Sequence, residues 1–154
     1  MYILMIVLLM FVFPVLSILA ELFIFHSAAS IVLLTGKWFV FWAVGVRLFT
    51  AGLRQAVNPQ FTAEKILGIK GSESLIVVQE LGFANLSMGI LGLLSILNSD
   101  WVLPAAIVGG LFIGLAGIRH VLSKEKNLLE NSAMVSNLFL FGVLLGYVIW
   151  SLAR

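Results

Sequence analysis

From Met1 to Leu34 only two side chains, Glu21 and His26, interrupt an apolar run. As a single helix this run would be roughly 50 Å long at about 1.5 Å per residue, against a bilayer core of about 30 Å. It must therefore bend, tilt or break. Pro14 can kink it, because proline removes a backbone donor, and His26-Ser27-Ala28-Ala29-Ser30 can end it. A first helix is predicted over 2–25, with 27–35 an interfacial or partly re-entrant piece. Residues 3–13 could also serve as the apolar region of a secretory signal, but the basic start of such a signal is missing.

Four more apolar runs follow. The second helix is predicted over 38–57, after Gly36-Lys37 and before Asn58-Pro59; a residue preceding proline is biased out of the helical region. The third spans 73–97, ending at the polar turn Asn98-Ser99-Asp100. The fourth spans 101–122, with Pro104 in its first turn, where a missing donor costs little. Ser123 to Glu130 reads as a charged loop, and the fifth helix covers 132–152, capped by Asn131 or Ser132. Between the second and third lies a short helix over 62–67, with Thr62 as N-cap and Gly68 as stop, too short to span and expected along the membrane surface.

The composition agrees with such spans: 62% of residues are hydrophobic and 10% charged, against about 45–50% and 25% in soluble domains. The fold class is thus an all-α integral membrane protein with five transmembrane helices, a four-helix bundle of helices 2–5 plus the N-terminal helix, in one domain over 1–154. A net charge of +2 with scattered basic residues implies no nucleic-acid partner, and zero cysteines exclude disulfides and thiolate metal sites.

Five spans put the termini on opposite faces. One face carries Arg54, Lys65, Lys70, Arg119, Lys124 and Lys126, the other Lys37 and Arg154. The positive-inside rule makes the first face cytoplasmic, with the N-terminus inside and the C-terminus outside a cell membrane. Trp38, Trp42, Trp101 and Trp150 then all fall near the outer interface.

The polar residues within the spans are the candidates for function. An ionisable group inside a bilayer costs about 2.5–3.5 kcal/mol on insertion scales, so it faces the bundle interior and finds a partner. Arg47 sits near the middle of helix 2, and Arg54 lies seven residues on, in nearly the same direction. Helix 3 carries Glu80 and Asn85 within a glycine-bearing stretch, Gln79 to Gly92, and Arg119 and His120 close helix 4. Arg47, Arg54, Glu80, Asn85, Arg119 and His120 are expected around one inward-opening polar cavity. The competing reading is structural: Arg47 and Glu80 form an ion pair, while Arg54 and Arg119 anchor the interface. No metal site is expected, since His26 and His120 lie a membrane thickness apart, as do Glu21 and Glu80. Nor does any Ser/His/Asp set or phosphate-binding glycine loop suggest a catalytic residue. Gly110-x-x-x-Gly114, Gly142-x-x-x-Gly146 and Gly82, Gly89 and Gly92 allow close helix approach. They favour tight bundling, with self-association or a partner subunit through helix 5 as the alternative.

Three segments, Gly36-Lys37-Trp38-Phe39-Val40-Phe41-Trp42-Ala43-Val44-Gly45-Val46-Arg47, Gly52-Leu53-Arg54-Gln55 through Asn58-Pro59, and Glu80-Leu81-Gly82-Phe83-Ala84-Asn85, resemble a family of small uncharacterised bacterial and archaeal integral membrane proteins. More distantly, helices 2–5 are similar to the DoxX-like four-helix membrane proteins, with Arg47, Gly52, Arg54 and Glu80 in the matching places. That second resemblance implies a link to quinone-coupled redox complexes. The function expected is a non-enzymatic binding or accessory protein, whose cavity holds a lipophilic or anionic ligand such as a quinone or lipid headgroup. The alternative is a small proton-coupled transporter in which Glu80 titrates. The lack of an inverted repeat weighs against it.

Overall fold

The computed structural model describes residues 2–69, 71–123 and 127–154. The predicted cytoplasmic charges Lys70, Lys124 and Lys126 lie outside the described residues. Among the described residues five helices are long and apolar enough to cross a membrane: α1 (Ile3–Phe23), α2 (Ile31–Val57), α3 (Ser72–Leu94), α4 (Ser99–Val121) and α5 (Leu128–Leu152). Among the described residues there is no strand.

α1 changes its hydrogen-bond register where its chemistry requires. Residues Leu8–Val12 widen into a π-helical turn immediately ahead of Pro14, which is buried. The wider register re-pairs carbonyls that lose a donor to the proline. After Phe23 the chain turns through His26 in a left-handed conformation (φ 47), and the Ser27 amide returns to the Glu21 carbonyl.

α2 starts at Ile31, seven residues before the predicted start, so Ile31 to Thr35 form helix and not a re-entrant piece. Ser30 caps it by accepting a hydrogen bond from the Leu33 amide. Gly36-Lys37 reads in sequence as a break, but each makes a tertiary contact. Gly36 faces the ring of Tyr147 in α5, where an added Cβ would lie 2.2 Å from a ring carbon. Lys37 pairs with Glu21 of α1. A second π-helical stretch, Val40–Val46, occupies the middle of α2, and Arg47 follows it directly. The helix ends at Asn58, as the following proline dictates.

α2 with α3 and α4 with α5 are the most intimately packed pairs. α1 lies against α2 and α5, held to α2 by the Trp42 Nε1–H donating to Ser17 Oγ at 3.0 Å. Met10, Leu34, Val40, Val44, Leu140 and Leu144 are fully buried where α1, α2 and α5 meet. The N-terminal helix therefore completes the core. Gly110 and Gly114 face Leu144 and Phe141 of α5 within the bundle, whereas Gly142 and Gly146 meet nothing within 4 Å.

α5 begins four residues before its predicted start. Its cap is Asn127, which accepts from the Glu130 amide at 2.9 Å, and not Asn131 or Ser132. Glu130, read in sequence as part of a charged loop, is buried. The short helix is a π-helical turn, Phe61–Ile66, in which Thr62 is buried and is not the N-cap. Gly68 (φ 67) lets the chain leave it. The turn folds back on the bundle, where the Asn127 side chain donates to the Lys65 carbonyl at 3.1 Å.

Candidate functional site

The glycines decide which side chains can converge. On α2, Gly45 and Gly52 meet α3 backbone to backbone; a Cβ on Gly52 would lie 2.6 Å from the Gly82 carbonyl oxygen. On α3 the matching positions are Gly82, Gly89 and Gly92. Two residues along an α-helix is a turn of about 200°. Arg54, two residues after Gly52, and Arg47, two after Gly45, therefore point away from α3. By the same rotation Glu80, two residues before Gly82, points away from α2.

The arginines turn into a cavity of about 320 Å³ at the end of the bundle where α2 and α4 finish and α3 and α5 begin. Five of the six residues singled out in the sequence line it: Arg47, Arg54, Asn85, Arg119 and His120. Glu80 does not. It is exposed on the outer face of α3, so neither the expected Arg47–Glu80 ion pair nor an acidic cavity wall forms.

Arg47 instead reaches across to α5. Its Nη2 donates to Asn137 Oδ1 at 2.8 Å and to Ser136 Oγ at 3.4 Å, and both acceptor side chains are buried. Asn85 lies three residues beyond Gly82, close to the face turned to α2. There it donates to Gln55 Oε1 at 2.6 Å, while its own Oδ1 is buried with no hydrogen-bond partner. Arg54 stacks on the ring of Phe61 at 3.6 Å, a cation–π contact that ties α2 to the short turn. His120 Nδ1 lies 3.1 Å from Glu130 Oε1, and both side chains are largely buried.

Charged groups stand at both ends of the cavity, and the wall between them is mostly apolar but carries Thr50 and Asn85, the latter beside Gln55. Counting about 1.5 Å per residue from the helix ends, Arg54, Arg119 and His120 sit within about 5 Å of the rim, and Arg47 and Asn137 lie about 14–15 Å deep. Leu48, Ala51, Leu81, Phe112, Ile113 and Ala116 form the wall between them. Among the described residues the lining includes three guanidinium groups and no carboxylate. Charge and hydrogen-bond donors of this kind suit an oxyanion, and guanidinium groups suit carboxylates and phosphates by geometry. Among the described residues no three His, Asp or Glu come together as a metal would need.

Sequence reasoning left several participants unassigned. Ser136 and Asn137 of α5 bond across to α2 and hold Arg47. Gln55, Thr62 and Phe61 complete the wall, and nothing in the immediate sequence of Thr62 and Phe61 marks them. Gln55 had one readable signal: an amide three residues past a seam glycine, Gly52, as Asn85 is past Gly82.

A family model described as "Family of unknown function (DUF6790)" matches residues 3–153. No curated protein and no solved structure matches the chain.

Proposed function

The chain belongs to that family, DUF6790, a family without an assigned activity, and from this premise we propose that the protein is a non-enzymatic binding or accessory protein of the membrane. Its cavity takes a lipophilic ligand bearing acceptor oxygens, a lipid headgroup or a quinone being the two classes considered. Arg47, Arg54, Arg119 and His120 supply donors to those oxygens, and Asn85 supplies a further polar group. The observation that carries this reading is the cavity itself: about 320 Å³, within the range of about 300–1,000 Å³ typical of ligand sites. Its polar groups converge on an otherwise apolar wall.

The carrier reading needs a titrating acid in this cavity, and the acid it named, Glu80, faces outward. The binding reading is therefore the better supported. The N-terminus-inside orientation is part of the proposal and rests on the sequence, which assigns six basic residues to the loops of one face against two on the other. In that orientation the cavity opens toward the cytoplasm.

The test is mass spectrometry of the protein extracted in a neutral detergent, wild type beside Ala116→Phe, which fills the wall without touching a charge. A small molecule retained by wild type and lost from the variant is the expected result. Identical spectra from two well-folded proteins would remove the cavity from any function.

A further inference from the structure

The cavity offers hydrogen-bond acceptors as well as donors. We propose that its ligand has a hydroxylated head, with one hydroxyl donating to His120 Nε2 and a second to Asn85 Oδ1, and that Glu130 fixes the His120 ring for this task. The proposal rests on the binding reading above, adds the donors that the ligand must bring, and makes His120 an acceptor within it.

Glu130 acts from behind the wall. It is 7% exposed and outside the lining, whereas His120 lines the cavity. Its Oε1 stands 3.1 Å from His120 Nδ1, and the ring makes no other hydrogen bond among the described residues. A carboxylate only accepts, so the shared hydrogen belongs to Nδ1. In a neutral ring that leaves Nε2 as an acceptor, the tautomer being set by the bond that the other nitrogen makes.

Asn85 is the second acceptor and an independent observation. It lines the cavity, is 4% exposed, and has its Oδ1 buried without a partner. Its Nδ2 is committed to Gln55 Oε1, which places Asn85 at the level of Gln55, the residue after Arg54. Arg54 gives the face of its guanidinium to the Phe61 ring. Its N–H donors lie in the guanidinium plane and remain for a ligand.

A hydroxyl answers both kinds of group. It donates one hydrogen and accepts through two lone pairs. A carbonyl oxygen, an ionised carboxylate or an ionised phosphate only accepts. Such a head pairs with the guanidinium groups and leaves both acceptors unmet, an arrangement that buried polar groups seldom keep.

The probes are octylglycerol, which has two hydroxyls, its dimethyl ether, which has none, and octanoate, which only accepts. An amine-oxide detergent brings no hydroxyl of its own. By calorimetry octylglycerol is expected to bind wild type about 10-fold or more tighter than the ether, as two hydrogen bonds allow. Octylcatechol beside its own dimethyl ether separates a phenolic source from a polyol, the larger ratio naming the source. The chain has two histidines, His26 and His120, so nitrogen NMR of labelled imidazoles reads His120 directly. Its unprotonated nitrogen signal should move with octylglycerol and stay in place with the ether. In Glu130→Gln, whose amide can both accept and donate, the ring should populate both tautomers and the advantage over the ether should shrink about 3-fold or more. Asn85→Leu should remove the share of the advantage that one hydroxyl supplies. The wild-type series stands alone should either variant fold poorly.

If each ether binds as tightly as its hydroxylated parent, the hydroxyl assignment is overturned and the cavity reading stands. If His120 carries hydrogen on both nitrogens in the complex, or if octanoate shifts its signal as octylglycerol does, His120 is no acceptor and the proposal falls. If none of the amphiphiles binds, and Ala116→Phe matches wild type in retained molecules, the binding reading itself fails.

Discussion

Substituting Gly89 by alanine should part the two helices that aim the site. A Cβ built on Gly89 stands 2.4 Å from the Phe49 amide nitrogen and 2.7 Å from its Cα, and ordinary contact begins near 3.4 Å. The deficit is about 1.0 Å, and the obstructing atoms are α2 backbone, which cannot rotate aside as a side chain would. Overpacking of this kind costs about 1–3 kcal/mol, and the rigid obstacle places Gly89→Ala in the upper half of that range. At about 1.4 kcal/mol per tenfold, the folded-to-unfolded ratio should drop about 30–150-fold. Gly142→Ala on α5 serves as the matched control, since its Cβ would meet nothing within 4 Å. The assay is reversible unfolding in mixed micelles of neutral detergent and dodecyl sulfate, followed by helical circular dichroism. Gly142→Ala should stay within about 0.5 kcal/mol of wild type, as surface substitutions do. Equal stabilities for the two variants would refute the account of α2 and α3 packed backbone to backbone.

Other consequences are open to direct measurement. Asn127→Ala removes the α5 cap and the tie to the Lys65 carbonyl; it should cost about 1 kcal/mol and speed amide exchange across 61–67, and unchanged exchange there would rule out the tie. Lys37→Glu should lower stability by less than about 1 kcal/mol, because the pair with Glu21 is partly exposed; exchanging the two charges should restore most of it, and additive losses would argue against the pairing. Glu80→Gln should leave ligand retention unchanged, because Glu80 is exposed outside the cavity; loss of the ligand would return this acid to the site. The absence of cysteine makes single-cysteine labelling clean. In intact cells, an impermeant maleimide should reach Asn98→Cys, and Gln60→Cys only after lysis; the reverse pattern would invert the proposed orientation.

The five spans and the stop at Asn58-Pro59 were legible in the chain, as was the presence of polar side chains within the spans, of which Arg47, Arg54, Asn85, Arg119 and His120 line one cavity. Long apolar runs, a proline's effect on its neighbour and the cost of a charge in a bilayer are properties of short segments, so order alone reveals them. The starts of α2 and α5 were not legible, because Gly36-Lys37 and Glu130 look like loop chemistry until their partners Tyr147, Glu21 and His120 are in place. Only tertiary structure decided that Arg47 is held by Asn137, 90 residues away, and that Glu80 turns outward. The reason is rotational. Where glycines let two backbones touch, the helices lock about one axis, and each neighbouring side chain is sent in or out by its angle from that line of contact.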